Sequence, residues 1–226
     1  MDEPKVLEAL APGVWHSEHD LFLPGGVHFR TRMTVLDTGD GLMLHGPVPM
    51  DAAHAERVSK LGEVKHIVAP NSFHHLYARP AADKFPTAKL WRGEALARKR
   101  PNLEGEMIVA GREPTFGEVK SLVLGGMPKL DEVIVLHPAT RTLVVTDLVF
   151  NILEYKGWLS GVMFRLTGTH KKLAQSRLFR SVIKQRAAYE QSLQEILSWD
   201  FDRVVMAHGE VLDGAGKDRL VQVLDG

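Results

Sequence analysis

HIVAPNSFHHLYARP, residues 66–80, carries the chain out of an apolar strand, through a loop with two histidines, and into a helix. Val64-Lys65-His66-Ile67-Val68-Ala69 is apolar enough for a buried strand. Pro70 and Asn71 end it, and a loop carrying His74 and His75 turns toward a second short helical stretch. Upstream, DAAHAERVSKLG has a helical period, with Ala52, Val58 and Leu61 among its apolar positions. Asp51 stands as its cap and Gly62 as its stop. The order β-α-β-loop-α indicates a layered α/β fold, because such crossovers lay helices on a sheet.

Before this unit, the sequence reads mainly as strands. Gly13-Val14-Trp15 begins one; Arg32–Leu36 and Leu42–His45 are the arms of a hairpin turned at Thr38-Gly39-Asp40-Gly41. After it, Lys89-Leu90-Trp91 reads as a short strand and Glu94–Arg100 as a short helix stopped by Pro101. Strands are then expected at Glu106–Ala110, Val119–Leu124, Glu132–Leu136 and Thr142–Thr146, the last two joined through Pro138–Arg141. This strand-rich second half argues for a second sheet rather than one doubly wound sheet. The spacing of Leu173, Leu178, Val182, Tyr189, Leu193 and Ile196 predicts one helix over Thr169–Leu197. Arg203–Ala207 is a strand with His208-Gly209 at its exit, and Lys217–Leu224 is a final helix.

The bulk numbers bound the function. At 226 residues and 44% hydrophobic content, without a Pro/Gly/Ser-rich linker, residues 1–226 are expected to form a single domain. Lys+Arg and Asp+Glu both number 28, so no net charge draws the chain to nucleic acid. The absence of cysteine excludes disulfides, thiolate ligands and cysteine nucleophiles. No run of about 18 apolar residues predicts a membrane span, and MDEPKVLEALAPG lacks the basic-then-apolar order of a secretory signal. A cytoplasmic address is expected. Basic residues cluster at Arg98–Arg100 and from Lys171 to Arg186, read first as solvated faces; Trp158 and Phe164 beside the second cluster give a weaker reading as a membrane-surface patch over Gly157–Arg186.

Three sites lie just beyond apolar strands, where side chains project into loops. They are Asn71–His75, then Asp147 after Thr142–Thr146, then His208 after Val204–Ala207. Imidazoles and a carboxylate suit a zinc, iron or manganese ion, so His74, His75, Asp147 and His208 are the metal-ligand candidates. Each has a plainer reading: Asp147 as a cap, His208 as a core histidine before a glycine turn. His45 is a candidate supporting residue, and His137 falls at the far end of its hairpin from Asp147. No HExxH helix, G-x-S-x-G elbow or glycine-rich phosphate loop occurs.

VLDTGDGLMLHGP, HIVAPNSFHHLYARP, HPATRTLVVTDLVFN and DRVVMAHGEVL together resemble the metallo-β-lactamase superfamily, in particular a subgroup with a degenerate metal-binding motif. The resemblance is strongest between Val35 and Leu212. It implies a four-layer αββα sandwich with metals in a cleft at one edge, and hydrolysis of esters, lactones, thioesters, amides or phosphodiesters in many members. The family motif His-x-His-x-Asp-His is not intact in either register. If Asn71 matches the first histidine, Phe73, His75 and Leu76 replace the second histidine, the aspartate and the last histidine. If His74-His75 matches Asp-His, Pro70 and Ser72 replace the early histidines. No histidine lies in Val123–Pro128, where the family has another ligand, whereas Asp147 and His208 match the bridging aspartate and the final histidine.

The resemblance therefore implies a metal-dependent hydrolase of a small ester-, lactone- or phosphoester-like substrate with at most one ion, zinc, iron or manganese, held by His75 (or His74), Asp147 and His208. The alternative is a catalytically inactive member, with or without an ion, that binds a small molecule or a protein partner.

Overall fold

The computed structural model describes residues 7–23 and 25–224. Met1–Val6, part of the stretch read against a secretory signal, lie outside the described residues. The chain runs β1 (Glu8–Ala11), β2 (Val14–Leu23), β3 (Val27–Asp37), β4 (Leu42–His45), α1 (Ala52–Ser59), β5 (Val64–Ala69), α2 (Ala78–Lys84), β6 (Lys89–Gly93), α3 (Glu94–Lys99) and β7 (Glu106–Ile108). These strands form one sheet in sequence order: β1 to β4 pair antiparallel, β4 to β7 parallel. The switch falls where α1 begins, because a parallel neighbour requires a crossover long enough for a helix. Asp51 starts α1 by accepting from the His54 N–H at 2.7 Å, the cap expected from sequence.

A second sheet follows, from β8 (Lys120–Val123), β9 (Val133–His137) and β10 (Thr142–Val144). Next come β11 (Phe150–Asn151), α4 (Trp158–Thr167), β12 (Leu173–Ala174), α5 (Arg177–Val182), α6 (Arg186–Ser198), β13 (Arg203–Val205) and α7 (Gly216–Leu224). The second sheet has the order β13-β10-β9-β8, while β11 and β12 form a separate two-stranded pair.

Side-chain alternation builds the layers. Leu36, Met43, Val68, Val133, Val135, Val144 and Val205 fill the space between the sheets. Their neighbours face outward: Val35, Leu44 and Ile67 pack with Val58 of α1 and Ala81 of α2. On the other side Ile134, Leu143 and Val204 pack with Tyr189 and Ile196 of α6 and Leu220 of α7. Strands buried on both faces read as continuous apolar runs, which is the pattern of VIVL in β9. The result is a four-layer αββα sandwich.

One expected element is corrected. Thr169–Leu197 is not a single helix but β12, α5 and α6. Leu173 pairs with Asn151 across the small sheet, so the chain is extended there. Ser176 then caps α5 by accepting from the Phe179 N–H at 3.0 Å. A second break comes where the Lys184 and Gln185 N–H groups both donate to the Gly126 carbonyl, at 2.8 and 3.1 Å. Gly126 has φ +78°, and a Cβ there would lie 2.3 Å from the Gln185 oxygen, so this contact admits only glycine.

Candidate metal centre

Three strand ends converge at one edge of the sandwich. His74 lies in the loop after β5, Asp147 after β10 and His208 after β13. His74 Nε2 and His208 Nε2 are 3.1 Å apart, and each lies 3.5 Å from an Asp147 carboxylate oxygen. One donor atom from each residue falls within 4.8 Å of the others.

The local sequence explains how each side chain is held. Asn71 Oδ1 accepts from the Phe73 and His74 N–H groups at 2.8 and 2.9 Å, an Asx-type turn that curls the loop so His74 faces inward. Asn71 Nδ2 donates to Asp147 Oδ2 at 2.8 Å. Asn71 is therefore an organiser of the loop rather than a replacement ligand. His208 Nδ1 donates to the Arg30 carbonyl at 2.7 Å, which leaves Nε2 as the bare nitrogen facing His74 and Asp147. Phe150 stacks on the His208 ring, 5.3 Å between centroids and 3° from parallel. Behind His208, Gly209 has φ +97°, and a Cβ there would lie 2.1 Å from the Asn151 oxygen, so β13 leaves the site through a close backbone contact.

Glu132 is the residue that sequence reasoning missed. In the sequence it stands as the first residue of a strand, yet its side chain is fully buried. Its carboxylate accepts the N–H groups of Thr146, Asp147 and Leu148 at 2.8, 3.0 and 3.1 Å. The loop carrying Asp147 is thus clamped from below. The only sequence signal was an acidic residue abutting the apolar run Val133–Leu136. Burial, and secondarily the Asp147 charge, push the Glu132 carboxyl up to about 8 against the three N–H donors.

Opposite charges and burial compete within the triad. Burial works to raise the Asp147 carboxyl, but His74 and His208 outweigh it and hold that group well below the usual carboxylate range. Burial likewise works against a charged His74, and Asp147 overrides it and raises the imidazole.

His75 points elsewhere. Its Nε2 accepts from Arg100 Nε at 3.1 Å, and burial followed by the Lys99 and Arg100 charges pushes it down to about 4. Of the two adjacent histidines, His74 is the one that faces the cluster. His45 lies between the sheets, where Nε2 donates to the Val133 carbonyl at 3.0 Å. His137 pairs with Thr142 at the opposite end of β9 and β10 from Asp147. The Gly125–Gly126 segment, within the region where the resemblance implies a further histidine, packs on α6: the Gly125 N–H donates to Ser192 Oγ at 3.0 Å.

The cluster lies on the wall of a cavity of about 340 Å³. Apart from the triad its walls are mostly apolar, including Leu21, Phe29, Phe150 and Phe164. Phe73 and Leu76, which stand at positions of the incomplete motif, are half exposed at its mouth.

Solved structures similar to this chain share its whole layout. A metallo-β-lactamase from Hirschia baltica superposes with a TM-score of 0.66 at 12% identity, covering 98% of each chain. The fold is that of the metallo-β-lactamases. A metallo-β-lactamase from Pontibacter korlensis matches at TM-score 0.65 and 16% identity, over 98% of this chain and 99% of the other. The metallo-β-lactamase FIM-1 from Pseudomonas aeruginosa, in its mono-zinc form, matches at 0.67 and 12%, over 99% and 96%. No protein-family profile and no curated protein sequence matches the chain. On the metallo-β-lactamase scaffold, then, the described residues carry a degenerate donor set, one His–Asp–His triad. Among the described residues no helix is long and apolar enough to cross a membrane.

Proposed function

We propose that the chain is one metallo-β-lactamase-like domain acting as a metal-dependent hydrolase of a small ester-, lactone- or phosphoester-like substrate. It would use one ion held by His74, Asp147 and His208. The observation that carries this reading is the fit of the triad to an ion. Bonds of about 2.0–2.2 Å in tetrahedral geometry set donors roughly 3.3–3.6 Å apart. Here the two imidazole nitrogens are 3.1 Å apart, they lie 3.5 Å from different oxygens of the Asp147 carboxylate, and one donor atom from each residue falls within 4.8 Å of the others, close enough to close on one ion with small side-chain shifts. The Arg30 carbonyl on His208 Nδ1 is the outer support that metal-ligating histidines usually have. A bound divalent ion supplies Lewis acidity that activates water and polarises the scissile carbonyl or phosphoryl group.

The chain's own residues do the rest. His74, Asp147 and His208 would hold the ion on the cavity wall, where a substrate in the cavity could reach it. Asn71 and Glu132 keep Asp147 in place, and the apolar walls exclude bulk water and hold the substrate's hydrocarbon part. That FIM-1 is described in a mono-zinc form supports a one-ion reading. Zinc, iron and manganese all suit two imidazoles and a carboxylate.

Metal analysis of protein purified without chelator, followed by zinc titration and ester hydrolysis assays, tests the proposal. Stoichiometric ion, turnover, and loss of both in His208→Ala are expected. Zinc-loading that fails in the wild type, or survives unchanged in His208→Ala, sinks it. A second reading, a binder without turnover, is favoured by Phe73 and Leu76 at the cavity mouth. Ligand binding by a metal-loaded protein that turns over no ester would select it.

A further inference from the structure

Between Glu154 and Glu190 the chain has no acidic residue, although acids and bases balance overall. Within that segment Lys156 and Arg186 are paired with Asp20 and Glu190. Arg165, Lys171, Lys172, Arg177, Arg180 and Lys184 are exposed and make no ion pair among the described residues. A local surplus of six positive charges therefore sits on a neutral protein.

The same segment carries an unpartnered apolar face. Trp158, Val162 and Leu166 of α4 are 75%, 42% and 69% exposed. Spaced by four, they form one stripe within roughly 80° of arc. The opposite face of α4 is anchored by Phe164, which is buried against Phe29 and Tyr155. The helix start is tied to the β2–β3 hairpin. The His28 N–H donates to Ser160 Oγ at 2.8 Å, and the Lys156 N–H to His28 Nδ1 at 3.1 Å. Phe22 and Leu23 project at 57% and 38% exposure from that hairpin, and Leu178 of α5 at 61%. Leu23 and Leu178 also line the cavity that holds the triad.

Exposed large apolar side chains mark an interaction surface, and here cations lie beside them: Arg165 is on the same helix and Arg177 Nη1 donates to the Leu166 carbonyl at 3.3 Å. The charge selects its occupant. A second copy would bring like charges together, and a nucleic acid offers no burial for Val162, Leu166 and Leu178. An anionic bilayer satisfies both parts, taking cations at the headgroups and the apolar stripe below them.

We propose that α4, α5 and the Phe22 and Leu23 side chains of β2 dock the protein on an anionic lipid bilayer, with Trp158, Val162 and Leu166 entering the interface. The cavity mouth between Leu23 and Leu178 then faces the bilayer. Docking is independent of the hydrolase reading; only the use of a bilayer amphiphile as substrate rests on it.

Co-sedimentation of the full chain with vesicles tests the proposal, comparing phosphatidylcholine alone with phosphatidylcholine and phosphatidylglycerol in equal parts. Binding to the mixed vesicles is expected, weakened by salt, with a blue shift of tryptophan emission that Trp158→Ser abolishes. The double variant Lys171→Glu/Arg180→Glu should lower partitioning roughly tenfold or more. Trp158→Ser/Leu166→Ser should lower it at unchanged circular dichroism and thermal midpoint, since both residues are exposed. His208→Ala should dock like the wild type, which separates this result from failure of the metal site. Three outcomes overturn the proposal: no sedimentation with mixed vesicles at low salt, equal binding by the variants, or duplex DNA bound as tightly in a Trp158-independent way.

Discussion

Asn71 and Asp147 are joined side chain to side chain, Nδ2 to Oδ2 at 2.8 Å, so the loop after β5 holds the carboxylate that follows β10. This one amide thus touches two of the three segments that form the site, since its oxygen also curls the His74 turn. Asn71→Ala should leave the sandwich folded but weaken zinc binding by roughly 10–100-fold, the usual cost of losing an outer partner of a metal site. Calorimetric titration with zinc checks this, and an unchanged affinity would assign Asn71 to folding alone.

Glu132 is expected to matter for stability before activity. Glu132→Ala strands three buried N–H donors, and each lost partner costs about 1–3 kcal/mol. A loss of about 3 kcal/mol or more should appear as a lower urea midpoint. Glu132→Gln should fall between alanine and wild type, because its amide oxygen can still accept from Thr146 and Leu148 while its amide nitrogen cannot accept from Asp147.

The buried His45 makes folding sensitive to acid. Burial pushes its imidazole down to about 4, partly countered by the bond to the Val133 carbonyl. The unfolded value is about 6.5, so between these values the unfolded chain binds the extra proton. Stability is therefore full above about pH 6.5 and falls as pH drops toward 4, by about 3 kcal/mol from this group. His45→Gln, whose amide can still donate to Val133, should flatten the pH dependence of the urea midpoint by a comparable amount.

The apolar cavity walls predict a chain-length preference. Each methylene added to the acyl group of a 4-nitrophenyl ester buries about 0.8 kcal/mol of apolar surface, roughly fourfold in KM. KM should fall along the series until the acyl group exceeds the cavity of about 340 Å³, then level off. A flat series from acetate onward contradicts apolar acyl recognition.

The sheets and two of the three clustered residues were legible in the sequence for a common reason. Asp147 and His208 each follow a short apolar run, and the alternation of buried faces forces such runs into the sheets, so their ends must meet at an edge. The choice between His74 and His75 was not legible. Adjacent loop residues point in different directions, and the direction here is fixed by Asn71 and by Arg100, 25 residues further on. The split of the expected helix over Thr169–Leu197 had a local cue in Ser176, but its second break depends on the carbonyl of Gly126, which no local pattern reveals. Glu132 was hidden for a similar reason: its three partners lie 14–16 residues away.

The triad draws its members from both halves of the sandwich. His74 follows a strand of the first sheet, while Asp147 and His208 follow strands of the second, and His208 is steered by a carbonyl of β3. An ion at this position would rivet the two sheets together, and any slip of one sheet over the other would pull the donors out of reach. Metal affinity and mechanical coupling of the halves are then one quantity, so a core substitution far from the cavity that lets the sheets shear should register first as a protein that no longer retains its ion.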